Sequence, residues 1–354
     1  MLYNLQALRL FAALAVMLFH FVAHMEVIGW AGAGQWLAGM GYAGVDVFFV
    51  ISGYVIWLST QSLRGHGLAI EFAYRRLCRI FSGYWPYLGL MALVAWFFHP
   101  EILHRTEILR SILLLYTPIP ERLLPVAWTL TYELYFYGWF ALLIGLSNRW
   151  RIFALWLMAA WVLAVQLYAL LIAGIYHPES YRTAGAFYRF YFSPFLLEFI
   201  AGALLAAYSH RLPKWAPVWP LLGAALLLML AAWVQYSWLE ASLAPGYNRI
   251  YRVILFGGAS VLLLWALIAF EQCGWRPFGR MSLAMGDISY SLYLSHTIFL
   301  LAFEASGLRA VWTRHASIES AFLVLAVWVI FYSALHYYAI ERPLYRSSRR
   351  VRFT

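Results

Sequence analysis

Apolar runs of about twenty residues, separated by short polar breaks, recur along this whole sequence. A helix needs about twenty predominantly apolar residues to cross a ~30 Å hydrocarbon core. The 354 residues are 64% hydrophobic and 11% charged, against about 25% charged in an ordinary soluble domain. The pattern predicts an all-α, polytopic membrane bundle of about ten transmembrane spans. The runs lie at about 5–23, 38–59, 82–99, 126–146, 152–175, 191–208, 216–237, 250–270, 282–303 and 318–340. A shorter apolar piece, Ile108–Tyr116, is too short to cross and is expected to dip into the membrane or lie on it. No stretch is long and polar enough for a separate soluble domain.

Basic residues orient the spans. With the N-terminus in the cytoplasm, the inside segments hold fifteen Lys and Arg against three acidic residues, and the outside loops hold nine against eight. That asymmetry predicts ten spans with both termini cytoplasmic. The net charge of +10 then reads as topology rather than nucleic-acid binding, with anionic lipid or a phosphorylated cytoplasmic ligand as partners. A cleavable signal peptide would have a charged N-terminal region. Here that region is missing, and Ala31-Gly32-Ala33, the one small-residue site, lies far from the first apolar run. Cys78 and Cys273 form neither a disulfide framework nor a metal-ligand pattern, so no metal is expected.

Within the first run, LQALRLFAALAVMLFHF, ten apolar residues separate Arg9 from His20. Eleven residues at roughly 100° each put both on one helical face, about 16 Å apart along the axis. Each is costly in hydrocarbon unless it faces a partner or a wet cavity. An arginine snorkelling to the interface above a packed histidine is the plainer alternative. Asp46, Glu133, Glu198 and His296 fall on four other spans. On a ~1.5 Å rise per residue they lie about 18–20 Å from the cytoplasmic face, beside His20 at about 22 Å. Agreement in depth on five spans predicts a shared polar cavity in the outer half of the membrane. Unrelated ties between helices would also satisfy each group singly.

Other motifs carry less. In GYAGVDVFFVISGYVIW, Gly41, Gly44 and Ser52-Gly53 permit close helix packing but do not explain Asp46. In YRRLCRIFSGYWPY, Arg76 and Arg79 are three apart and share a helical side. Their forks suit phosphate oxygens, and the positive-inside rule explains them equally well. In VAWTLTYELYFYGWF, Glu133 does not belong in an aromatic belt. In MGDISYSLYLSHTIFL, Ser289 and His296 share a face but are about 10 Å apart along the axis. That distance rules out Ser289 as a nucleophile driven by His296.

Together these segments, with Glu198–Ala206 and the closing Glu341-Arg342-Pro343, resemble the acyltransferase-3 family of integral membrane acyltransferases, which modify bacterial surface polysaccharides and other acceptors. The likeness follows the family's order over nearly the whole chain, as a transmembrane domain over 1–346 and a basic cytoplasmic tail over 347–354. In one departure, Ser82-Gly83 stand where a proline often follows the basic segment, and Pro86 comes later. Some relatives carry an appended extracytoplasmic esterase-like domain, which is not expected before Thr354.

The resemblance implies transfer of an acyl group, most often acetyl, from acetyl-CoA or another acyl-CoA to a hydroxyl of a carbohydrate or glycolipid, in the bacterial cytoplasmic (inner) membrane. On that basis Arg75, Arg76 and Arg79 are expected to hold the donor's phosphates. His20 acts as base or nucleophile, and Asp46 or Glu133 orients its ring. Arg9 binds the donor or stabilises developing negative charge. Trp128, Glu198, Ser289, Tyr290 and His296, all in matched motifs, are expected to contact substrate. Two rivals remain at this stage: a transporter or flippase of a lipid-linked sugar, which also needs a midplane polar cavity, and an enzyme with a polyprenyl-linked donor.

Overall fold

A computed structural model describes residues 2–27, 38–63, 65–175, 180, 185–212, 216–238 and 249–348. The small-residue site at Ala31–Ala33, Arg64, Lys214 and the last residues of the basic tail lie outside them. No strand occurs among the described residues. The helices are α1 (Tyr3–Val27), α2 (Gly44–Thr60), α3 (His66–Phe98), α4 (Pro100–Arg105), α5 (Ile108–Ile112), α6 (Trp128–Leu143), α7 (Asn148–Leu171) and α8 (Ala186–Tyr191). They continue with α9 (Phe195–Tyr208), α10 (Val218–Trp233), α11 (Arg249–Arg252), α12 (Gly258–Gln272), α13 (Met281–Ala305), α14 (Leu308–Trp312), α15 (Ile318–His336) and α16 (Arg342–Ser348). Among the described residues, three π-helical segments extend or join them, at Val234–Trp238, Val253–Gly257 and Tyr337–Glu341.

Among the described residues, eight helical stretches are long and apolar enough to cross a membrane. The two other predicted spans are also helical. One is α6, whose 16 residues fall short of spanning length. The other is α13, which is long enough but carries fully buried Ser289, Ser291, Ser295 and His296 along its length. Large apolar side chains such as Phe97, Leu142, Leu171 and Trp219 are more than two-thirds exposed. Surfaces of that kind suit lipid rather than water, and the protein is an integral membrane protein.

Contacts divide the chain into two compact units. The first comprises Met1–Ala12, Tyr42–Ile70 and Phe136–Ser282. Its tightest feature is the crossing of α2 and α9. A Cβ on Gly53 would lie 2.0 Å from the Phe199 carbonyl oxygen, and one on Gly202 would lie 2.0 Å from that of Val50. Small residues on both helices let the two backbones touch, a usual device where lipid gives no hydrophobic drive between helices. Two buried ionisable groups finish the helix ends of this unit. Glu271 accepts the Tyr3 and Asn4 amides at 2.9 and 2.8 Å, satisfying the start of α1. The Arg151 guanidinium donates to the carbonyls of Leu143, Ile144 and Leu146 at and just after the end of α6, and of Thr60 and Leu63 at and just after the end of α2. Orphan carbonyls at helix ends need such donors, and a buried arginine needs such acceptors. Arg151, counted as an inside charge in the sequence, is thus a capping group, 1% exposed.

The second unit comprises Ala13–Gly41, Glu71–Tyr135 and Leu283–Thr354. Here a Cβ on Gly41 would meet the Ala15 carbonyl oxygen at 2.2 Å, the close approach its sequence suggests. The apolar piece Ile108–Tyr116 turns back onto α3. Tyr84 donates to Ser111 O at 2.7 Å and Trp85 Nε1 to Ile112 O at 3.1 Å, both near the middle of that helix. Arg122 ties the following loop to the start of α6 through Thr117 O and Thr131 Oγ1.

Candidate active site

The polar groups of the second unit follow α13. Nearest its start, the π-segment residue Glu341 is fully buried and accepts Arg79 Nη1 at 2.6 Å and Ser291 Oγ at 2.8 Å. The Arg79 guanidinium also lies over the rings of Tyr290 and Tyr345, and Tyr290 donates to Ile80 O at 2.9 Å. One turn on, Ser295 and Ser333 share a hydrogen bond of 3.0 Å. Next comes His296, fully buried, with Nε2 3.2 Å from His20 Nδ1. Further along, Glu304 lies 3.2 Å from His24 Nε2 and accepts Arg309 Nε at 2.6 Å. At ~1.5 Å per residue, His296 is about 8 Å from Ser291 and about 12 Å from Glu304 along the helix.

The two rings are held by backbone carbonyls one turn back. His20 Nδ1 is 2.9 Å from Val16 O, and His296 Nδ1 is 3.2 Å from Leu292 O. A carbonyl oxygen can only accept, so in each neutral ring Nδ1 carries the hydrogen and Nε2 the lone pair. The lone pair of His296 faces the Nδ1–H of His20. The lone pair of His20, on Nε2, is left for chemistry. Phe19 lies edge-on to His20, with ring centroids 5.1 Å apart. Beyond His296 on the same helix, a largely apolar cavity of about 690 Å³ is lined by Phe98, Phe299, Phe303, Leu325 and Trp328 among others.

In the first unit, Asp46 is fully buried and takes a fork from Arg252: Nε lies 3.0 Å from both carboxylate oxygens, and Nη2 is 2.7 Å from Oδ2. Arg252 also donates to Tyr42 O at 3.2 Å. Glu198, 2% exposed, is within electrostatic range of both charges and packs on Gly257, where a Cβ would lie 2.7 Å from its Oε1. Each unit therefore has its own polar cluster: His20 with His296 in one, and Asp46 with Glu198 and Arg252 in the other.

His20 Nδ1 faces Val16 O and His296 Nε2, and the oxygens of Asp46 face Arg252. Arg252 went unnoticed because it sits at the edge of an apolar run, where it counts as a loop charge. The π-segment Val253–Gly257 directly after it is the structural trace of that site. Of the donor arginines, Arg79 is ion-paired with Glu341, Arg75 is ion-paired with Glu71, and Arg76 lies over Phe72. All three are on α3, which begins well before the predicted span. Arg9 donates to Gln6 Oε1 at 3.3 Å on α1. Ser289 donates to Gly286 O at 2.7 Å. Trp128 packs edge-on against Tyr132, and Glu133 is half-buried on α6. Among the described residues, no three His, Cys, Asp or Glu side chains are grouped as for a metal ion.

The fold is that of a helical membrane protein, and comparison with known proteins gives the class: an integral membrane acyltransferase. The family profile of an acyltransferase domain matches residues 2–341, and the chain belongs to that family, acyltransferase-3. It is 29% identical to the exopolysaccharide production protein ExoZ of Rhizobium meliloti (strain 1021), over 89% of this chain and 93% of that one. It is 26% identical to nodulation protein 10 of Rhizobium leguminosarum bv. viciae, over 96% and 92%. A shorter match, 33% identical, covers 28% of this chain and 15% of the peptidoglycan O-acetyltransferase OatA of Listeria monocytogenes serovar 1/2a. No solved structure matches.

Proposed function

We propose that this acyltransferase moves an acyl group, acetyl in the simplest case, from acyl-coenzyme A to a hydroxyl of a cell-surface carbohydrate or glycolipid precursor, in a bacterial cytoplasmic membrane with both termini inside. The observation that carries the reading is His20 Nδ1 held by Val16 O and facing His296 Nε2, contacts that put the hydrogen on Nδ1 and the lone pair on Nε2. Such a nitrogen can take a proton from an attacking hydroxyl and return it to the leaving thiolate. The names of the relatives, one an exopolysaccharide production protein and one a peptidoglycan O-acetyltransferase, support a carbohydrate acceptor. The largely apolar lining of the cavity beside α13 supports an acceptor with a hydrocarbon anchor.

The donor is read as coenzyme A because its anionic end suits arginines on the cytoplasmic side. Arg75, Arg76 and Arg79 are the candidates to hold it. Arg75 and Arg79 already face carboxylates, so any part they play shares their charge with Glu71 and Glu341. Arg9 is kept as a group for the donor or for developing negative charge. Trp128, Tyr290 and Glu133 are kept as candidates near the substrates. Asp46 and Glu198 are read with Arg252 as a buried support.

Mass spectrometry of surface glycans from cells with and without the protein tests the reading. Base-labile acyl esters should disappear without it and return when it is restored. Unchanged esters across all glycan fractions would contradict it.

A further inference from the structure

We propose that His296 is a positioning residue for His20, filling with a neutral imidazole the place a carboxylate fills in a Ser-His-Asp triad. The proposal rests on the reading of His20 as the base and extends it. In that triad a carboxylate accepts from the far ring nitrogen, fixes the tautomer and steadies the imidazolium. Here the atom in that place is His296 Nε2, 3.2 Å from His20 Nδ1. The ring centroids are 4.9 Å apart and the planes are inclined at 51°, so the rings are not merely stacked. Because Leu292 O fixes the hydrogen of His296 on Nδ1, its Nε2 can only accept. Val16 O is the second acceptor for the same His20 hydrogen.

The surroundings explain why a neutral acceptor serves. His296 is fully buried, with the rings of His20 and Tyr293 beside it. Tyr293 spends its hydroxyl hydrogen on Val126 O. The charged groups on adjoining turns are engaged with one another: Glu304 with Arg309 and His24. A carboxylate at position 296 would be an ion without a cation in an apolar setting, which is expensive. An imidazole keeps the resting pair uncharged.

During transfer, the acceptor's O–H proton passes to His20 Nε2 as the oxygen bonds to the acyl carbon. The carbon–sulfur bond then breaks, and the same proton leaves on the thiol. Between those events His20 is a cation. Its Nδ1–H bonds to His296 Nε2 and Val16 O become charge-assisted and stronger. No proton is gained or lost by His296 over the cycle.

Membranes bearing wild-type protein, His296→Gln, His296→Leu or His20→Ala, assayed with radiolabelled acetyl-coenzyme A, test this. A glutamine can offer Oε1 where Nε2 stood, and leucine can offer nothing. His296→Leu should lose at least about tenfold in kcat, the scale of one charge-assisted hydrogen bond, with the donor KM unchanged. His296→Gln should recover most of that loss. Nitrogen-15 NMR of the histidines should show His20 Nε2 unprotonated in the wild type. Wild-type kcat in His296→Leu, equal losses in Gln and Leu variants, or a protonated His20 Nε2 would each overturn the proposal. Should His20→Ala keep its rate, the reading of His20 itself fails. Should His20→Ala be dead while His296→Leu is fully active, only the role of His296 fails.

Discussion

At the scale of single residues, arginines with the same charge are distinguished by what they face. Arg79 satisfies a fully buried carboxylate, Glu341, which Ser291 also contacts. Removing one partner of such a pair leaves an uncompensated buried charge, at roughly 3–5 kcal/mol when fully buried and less for a half-exposed arginine. Arg79→Ala should therefore lower the amount of folded protein. Arg76→Ala should raise the apparent KM for acyl-coenzyme A about tenfold or more, the scale of one charge-assisted hydrogen bond. Thermal stability in detergent and donor titrations separate the two, and equal behaviour of both variants would contradict this division. Arg151 gives a second case. Its guanidinium serves five carbonyls at and just after two helix ends, so Arg151→Ala should destabilise by roughly 3 kcal/mol or more, read from the denaturation midpoint. Neither role was legible in the sequence, where both residues fit the positive-inside pattern. Spacing does show that His20 is an unusual membrane residue. It cannot show that His296, on a helix far away in sequence, supplies the facing atom.

Helices were the easiest level to read, because their signal is local. All ten predicted spans fall on helix, and the return of Ile108–Tyr116 toward α3 accords with a segment too short to cross. What composition could not give were the π-segments, which depend on tertiary demands. Two of them adjoin a buried ion pair, Arg252 with Asp46 and Glu341 with Arg79. The glycines were partly legible. Gly53 looked like a packing notch, but its partner Gly202 is identified only by the crossing of α2 and α9. At that crossing a side chain at either glycine meets backbone, which cannot rotate away. Gly202→Leu should cost at least about 1–3 kcal/mol as overpacking and reduce the folded yield. A variant as stable as the wild type would show that the two helices do not pack as closely as described.

For the whole molecule, composition gives the membrane class and the motif order gives the family, while the basic-residue bias yields a testable orientation. Reporter fusions after Thr60 and after Ser348 should both report cytoplasm, and a fusion after Thr60 that reports the outside would overturn the topology. The cavity shared by five spans could not be judged from depth alone. Depth is one coordinate; the side-chain partners pair His20 with His296 and Asp46 with Arg252. The central claim is that His20 handles the proton in acyl transfer. Its most direct measurement is the transfer of label from radiolabelled acetyl-coenzyme A to base-labile esters in membranes bearing equal amounts of folded wild-type or His20→Ala protein. Label should enter the ester fraction with the wild type and stay at background with His20→Ala. Wild-type rates in a well-folded His20→Ala protein would contradict the account.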